Sequence, residues 1–141
     1  MIGSAQDANS LLRAVFDRGE RITLDRLQAL LFLLDQRWTV EHGAPLVGEP
    51  FLASDAGPTL SHVGFQYGYL GADEHVERFC KDAEGHASMA GGEVAEKAAQ
   101  LIRDSSHLPT AALVISATGP GTTWLRARQS GVRFLHEAAA R

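Results

Sequence analysis

The residues of this chain that are best suited to covalent chemistry are its single cysteine and its six histidines. Cys80 lies five residues after His75 and six before His86, so either histidine could act as a base for the thiol. A small hydrolase or transferase that uses Cys80 is therefore one interpretation. No Gly-x-Ser-x-Gly run marks a strained nucleophile turn, and a helical position beside Phe79 favours an inert, half-buried thiol. We expect no enzyme.

The same residues do not have the spacing of a metal site. Zinc sites usually pair ligands two to five residues apart, and the chain offers no second pair. A glycine-rich stretch, Gly119 to Thr123, leads into a helix start of the kind that can hold an anion. Phosphate loops follow their glycines with Lys, whereas this one leads to Trp124. We predict no metal and no cofactor, and a turn that directs Trp124 into the core.

Size and charge indicate which class of partner is expected. The 141 residues fit one domain, and the lone cysteine excludes an internal disulfide. No apolar run approaches a membrane span and no signal peptide is visible, so we expect a cytoplasmic location without membrane contact. The net charge is −4, and the basic residues are scattered. This argues against nucleic acid and favours a protein partner.

The most apolar stretch must form the centre of the fold. Apolar residues between Thr23 and Trp38 recur at steps of three and four, which predicts a helix buried on most of its circumference. Thr23 is placed to cap its start, and Gly43 to end it. The residues that define this face are Leu24, Leu27, Leu30, Leu31, Leu34 and Trp38.

The rest of the chain is predicted to surround that helix. Residues 4–18 form a preceding helix, and 44–57 form an extended connector in which Pro and Gly break any helix. The segments expected after it are a helix at about 59–67, an exposed helix at 73–83, a mobile loop at 84–92, a helix at 93–106, and short helices near Pro109, Trp124 and Val132. The prediction is an all-α, single-domain helical bundle spanning 1–141, with a short extended loop region.

Several residues together resemble the Panacea domain, the antitoxin domain of the SocA type. The pattern is an apolar helix followed by a Trp, a Gly-Ala-Pro-Leu turn, Glu-Pro, Gly-Pro, and a late Trp before the final helix. The resemblance extends from about Leu11 to Leu135. The residues that carry it are Leu27, Gln28, Trp38, Pro45, Glu49, Pro50, Gly57, Pro58 and Trp124.

This resemblance implies a function without catalysis. Panacea-like domains are similar to antitoxins that bind and silence a cognate protein toxin, usually the product of the adjacent gene. An alternative within the family is an adaptor that delivers the toxin to a AAA+ protease. Aromatic and arginine residues are the usual anchors of such interfaces. The candidate partner-binding residues are Tyr67, Tyr69, Phe79 and Arg126.

Overall fold

The fold, seen in a computed structural model, is mainly α-helical, as predicted. The structure describes residues 4–71, 73–81 and 85–139, which form seven helices and one two-stranded antiparallel sheet. None of the described helices is long and apolar enough to span a membrane. The elements are α1 (Ser4–Asp17), α2 (Leu24–His42), β1 (Leu52–Ser54), β2 (Gly57–Thr59), α3 (Ser61–Tyr67), α4 (Glu93–Ser105), α5 (Thr110–Thr118), α6 (Thr123–Ser130) and α7 (Leu135–Ala139).

Helix α2 begins and ends as its sequence predicts. The hydroxyl of Thr23 accepts a hydrogen bond from the backbone N–H of Arg26, at 3.3 Å, and so satisfies one free donor of the first turn. At the other end Gly43 adopts a positive φ of 75°, and its N–H donates to the carbonyl of Thr39. A side chain would be strained in this conformation, which is why glycine stands there.

The buried residues of α2 lie between Leu27 and Leu34. The helix packs against α1, α5 and β2, and its last fully buried residue is Leu34. Beyond that point the helix emerges: Trp38 is half-buried and stacks on His42, with ring centroids 3.9 Å apart. Val40 is 87% exposed. The predicted central helix is confirmed, but its last two turns are mostly exposed, and they present Val40 to solvent.

Helix α1 closes the core from the opposite side, packed chiefly against α4. Its apolar residues Ala8, Leu11, Leu12 and Val15 are buried, and the buried side chains of the described residues form one continuous cluster. The largest of these that are fully buried are Leu11, Leu12, Ile22, Leu27, Leu30, Leu31, Leu34, Leu60, Leu101, Leu113, Val63 and Val76.

The extended connector contains a β-hairpin. Strands β1 and β2 pair with Ala53 opposite Pro58, and the peptide of Ala53 also donates to Arg133 O at 2.8 Å. The helix predicted at about 59–67 begins at Ser61, because Pro58 and Thr59 belong to β2. Gly57 has a φ of 110°, and a Cβ there would lie 3.3 Å from the Thr118 side chain.

The exposed helix predicted at 73–83 is also wrong for the residues that the structure describes, 73–81. Here the chain is extended, because Val76 N donates to Ile22 O at 2.7 Å and His75 bridges to Thr23. Val76 and Cys80 are both buried. The loop predicted at 84–92 carries no helix or strand over 85–92, while Glu84 lies outside the described residues.

The side-chain amide of Gln28 joins α2 to the connector, which yields a first prediction. Its oxygen accepts from Leu60 N at 2.9 Å and its nitrogen donates to Leu60 O at 3.2 Å, all within the core. Gln28→Leu leaves the N–H of Leu60 without an acceptor. We expect a loss of about 1–3 kcal/mol in the free energy of unfolding, measured by urea denaturation. Gln36→Leu, on an exposed face of α2, is the control and should change that energy by less than about 0.5 kcal/mol.

Candidate functional site

A groove of about 1050 Å³ lies beside the C-terminal half of α2. One wall is α2 from Phe32 to Glu41, and the other is the connector from Pro45 to Phe51. Thr123 and the start of α7 close the far side. Most of the surface area that lines it is apolar. The apolar lining residues are Phe32, Val40, Pro45, Val47, Pro50, Phe51 and Leu135.

Asp35 fixes the connector wall to α2. One oxygen of its carboxylate, Oδ1, accepts from the backbone N–H groups of Leu46 (2.9 Å) and Val47 (3.0 Å). The side chains of both residues are buried. These two hydrogen bonds therefore hold the connector at a fixed place on the helix while the helix continues past it.

Glu49 fixes the next part of the same wall. Its Oε1 accepts from His62 N at 2.9 Å, in the first turn of α3, and its Oε2 accepts from the Ser4 hydroxyl at 3.0 Å. A carboxylate suits the free N–H groups at a helix start. Glu49 thus links the connector to both α1 and α3.

Helices α6 and α7 contribute the far side of the groove, and hydrogen bonds attach them to the hairpin and to the end of the connector wall. The indole N–H of Trp124 donates to Ser54 O at 2.7 Å, and Arg128 Nη1 donates to Ala53 O at 3.1 Å. The backbone N–H of Leu135 donates to Phe51 O at 3.0 Å. Trp124 was predicted to enter the core; it is half-buried, and its N–H orients the hairpin.

The charges in the groove lining are mostly acidic. Of the two charged residues on the α2 wall beyond Asp35, Arg37 pairs with Asp104 at 3.1 Å and Glu41 pairs with Lys97 at 2.9 Å. Asp35 and Glu49 form no salt bridge within the described part of the chain. Burial raises the pKa of Asp35, and the two backbone donors offset only part of that rise. The groove therefore combines an apolar lining with two half-buried carboxylates that lack a cation.

A third carboxylate lies behind Asp35. Asp7 of α1 is completely buried, and neither of its oxygens has a hydrogen-bond partner among the described residues. Burial, together with the neighbouring charge of Asp35, raises the pKa of Asp7 to about 7. An ionised carboxylate without donors is costly in such a place, so Asp7 favours the protonated form below neutral pH.

The four predicted anchor residues do not line the groove. Tyr67 is 3% exposed and donates its hydroxyl to Arg78 O, so it belongs to the core instead of offering a contact surface. Phe79 is half-buried against Phe16. Tyr69 and Arg126 are exposed elsewhere on the surface.

The residues that carry the family resemblance lie closer to the groove. Pro45, Glu49 and Pro50 line it directly. Gln28 and Trp124 hold its supporting elements by the hydrogen bonds described above. Leu27 is buried in the core, and Gly57 and Pro58 form the hairpin. The groove itself was not predicted, because periodicity placed all of the apolar face of α2 inside; the available signal was Val40, which lies two residues after Trp38 and off that face.

Cys80 has the character of a core residue. It is fully buried, and its sulfur donates weakly to Lys81 O at 3.9 Å. Burial, with the nearby charge of Glu49, raises the pKa of the thiol to about 11. The thiolate that a nucleophilic mechanism requires is therefore disfavoured at neutral pH.

One group of side chains has the proximity of metal ligands. Atoms of Glu41, His42 and Glu93 lie within 4.8 Å of one another, and all three residues are exposed. Their atoms already pair with protein groups: Glu41 with Lys97 Nζ at 2.9 Å, and His42 Nε2 with Glu93 at 3.0 Å. A lysine ammonium inside the cluster competes with a cation, so we assign no metal here.

Comparison of the chain with models of known families, with curated proteins and with solved structures finds no match. The groove is therefore interpreted from its own residues and contacts.

The burial of Asp7 predicts an unusual dependence of stability on pH. Its carboxyl binds a proton more tightly in the folded chain, with a pKa of about 7, than at its ordinary value of 3.8. The contribution of Asp7 to the free energy of unfolding should thus decrease as the pH rises between those values. Asp7→Asn should remove this slope and stabilise the chain at pH 8 by up to about 4 kcal/mol.

Urea denaturation of the wild type and of Asp7→Asn over that pH range measures this difference. Asp17→Asn, at an exposed position of the same helix, is the matched control and should leave the slope unchanged. Parallel curves for wild type and Asp7→Asn would show that the carboxyl of Asp7 ionises normally.

The thiol gives a further prediction. Near neutral pH, iodoacetamide should modify Cys80 about a hundredfold more slowly in the folded chain than in urea, because burial excludes the reagent and suppresses the thiolate. Mass spectrometry of quenched samples measures both rates. Equal rates would mean a reactive thiol and would favour the nucleophile interpretation.

Proposed function

We propose that this chain is an antitoxin of the Panacea type, which acts in the cytoplasm and neutralises a cognate protein toxin by binding it. The toxin is expected to be the product of the adjacent gene. The groove beside α2 is the binding surface, and inhibition is steric: the chain covers a surface that the toxin needs. The observation that carries the proposal is this open, mostly apolar groove on a helix whose other half is buried.

The exposure of the groove supports a protein partner. Val40 is 87% exposed beside this apolar groove, and apolar surface left open to water is unfavourable unless another surface covers it at some stage. At about 1050 Å³ the groove can accept several side chains of a partner. Phe32 and Phe51 meet edge to face at its base, with ring centroids 5.2 Å apart. A firm aromatic base of this kind suits the central part of a protein interface.

The family resemblance supports an antitoxin in particular. The residues that resemble the Panacea pattern are concentrated in α2 and the connector, the two walls of the groove. The carboxylate of Glu49 and the indole N–H of Trp124 make hydrogen bonds that position those walls. Residues of the pattern thus form or support the surface to which we assign the function.

A substitution on the groove wall tests this proposal. Val40 lines the groove and is 87% exposed, so Val40→Lys should not disturb the core. We expect it to weaken toxin binding by about tenfold or more, because a charge replaces an apolar contact. Ile115→Lys is the matched control: this residue is 67% exposed on α5 and lies outside the groove lining.

The measurement is rescue of growth when the adjacent gene product is co-expressed, together with the affinity of the purified pair. If both variants rescue growth equally, the groove is not the binding surface. If the adjacent product is neither toxic nor bound by the wild type, the antitoxin proposal fails. A toxin half-life that is shortened only in cells with an intact AAA+ protease would instead indicate the adaptor mechanism.

A further inference from the structure

We infer that the groove accepts an amphipathic helix of its partner, with an apolar side facing the groove and an Arg or Lys facing Asp35 and Glu49. This inference rests on the proposed function for the identity of the partner, the toxin. The chemistry of the occupant follows from the groove alone.

Many backbone groups along the groove are already paired within the chain, so a partner would bind through side chains more readily than by adding a strand. β1 is already flanked by β2 on one side and by the segment around Phe134 on the other. The N–H groups of Leu46 and Val47 donate to Asp35. The carbonyl of Phe51 accepts from the backbone of α7. An extended peptide would therefore find few free backbone partners at these positions, whereas a helix satisfies its own backbone.

The α2 wall has the dimensions of a helix-packing surface. From Phe32 to Val40 the helix advances by about 12 Å, which is slightly more than two turns. Phe32, Gln36 and Val40 follow one another at steps of four along this wall. Such a row forms a ridge that can fit into a groove between the side chains of a second helix. The anchor residues of that second helix would be spaced by three, four and seven residues.

The charges of the groove specify a basic occupant. Asp35 and Glu49 are half-buried, and within the described residues each has hydrogen-bond donors but no salt bridge. Asp7 lies close enough to Asp35 that the charge of Asp35 raises the pKa of the Asp7 carboxyl. When Asp7 is ionised, it adds to the local negative field. The chain as a whole carries a net charge of −4. A guanidinium or ammonium on the occupant would compensate these carboxylates where solvent screens them little.

Two isosteric substitutions remove the charge without releasing the connector. In Asp35→Asn the Oδ1 atom can still accept from Leu46 and Val47. In Glu49→Gln the Oε1 atom can still accept from His62 N, and the amide can donate to the Ser4 hydroxyl. The double variant should therefore fold like the wild type, which thermal unfolding will verify.

A matched double variant controls for net charge. Asp17→Asn with Glu77→Gln removes the same two charges from exposed positions outside the groove. A difference between the two double variants reports on the groove and not on the overall field of the chain.

The probes are synthetic peptides of about 18 residues, long enough to form a helix in isolation or on contact. One peptide carries Leu along a single face and Lys beside it. A second replaces each Lys by Glu, and a third keeps Lys but replaces each Leu by Gln. Binding is followed by fluorescence anisotropy with the complete chain at two salt concentrations.

We expect the first peptide to bind about tenfold or more tightly than the other two. The Asp35→Asn/Glu49→Gln variant should lose about tenfold in affinity for this peptide and most of the salt dependence, while the control variant should lose little. Equal binding by the two double variants, or equal binding of the Lys and Glu peptides, would overturn the basic occupant. Binding of the Gln peptide as tightly as the Leu peptide would overturn the helix-in-groove arrangement.

The same variants separate this inference from the proposed function. If the wild type neutralises the adjacent gene product and the groove variant does so equally well, the antitoxin proposal stands and the basic occupant fails. If the wild type does not neutralise that product but the peptide preference holds, the antitoxin proposal fails and the chemistry of the groove stands.

Discussion

The structure depends on how an irregular connector is fastened to a buried helix. Residues 44–60 cross α2 without repetitive structure of their own over most of their length, so their backbone groups need partners from elsewhere. Gln28 and Asp35 supply them. These residues are seven apart in α2, hence two turns apart on one face, and they bind Leu60 and the Leu46–Val47 pair respectively. Both ends of the connector are thereby fixed to the same helix.

The groove is a consequence of this fastening. Because Asp35 holds Leu46 and Val47 against the middle of α2, the last two turns of the helix extend past this attachment and line the groove. Glu49 then directs the connector toward α1 and α3, away from Val40. The walls are held by hydrogen bonds made within the chain. A surface that is formed in advance loses less entropy when a partner binds, and this favours affinity at a modest contact area.

The same arrangement concentrates negative charge where little compensates it. Asp7 is buried and has no hydrogen-bond donor among the residues that the structure describes, while Asp35 and Glu49 use their oxygens to hold backbone and hydroxyl groups. Ionisation of closely placed carboxylates in such surroundings opposes folding, and the continuous apolar core must offset that cost. Proteins commonly tolerate a local loss of stability where a surface serves binding, and this region adjoins the proposed binding surface.

The sequence by itself determined the three longest helices. Apolar spacing located α1, α2 and α4 to within a few residues, and Thr23 and Gly43 marked the ends of α2, because these signals act between neighbouring residues. The tertiary structure decided the rest: the hairpin at Pro58, the extended chain at Val76, and the groove. Each of these depends on hydrogen bonds between residues distant in sequence, and a periodic pattern shows which face is apolar but not which part of that face another element will cover.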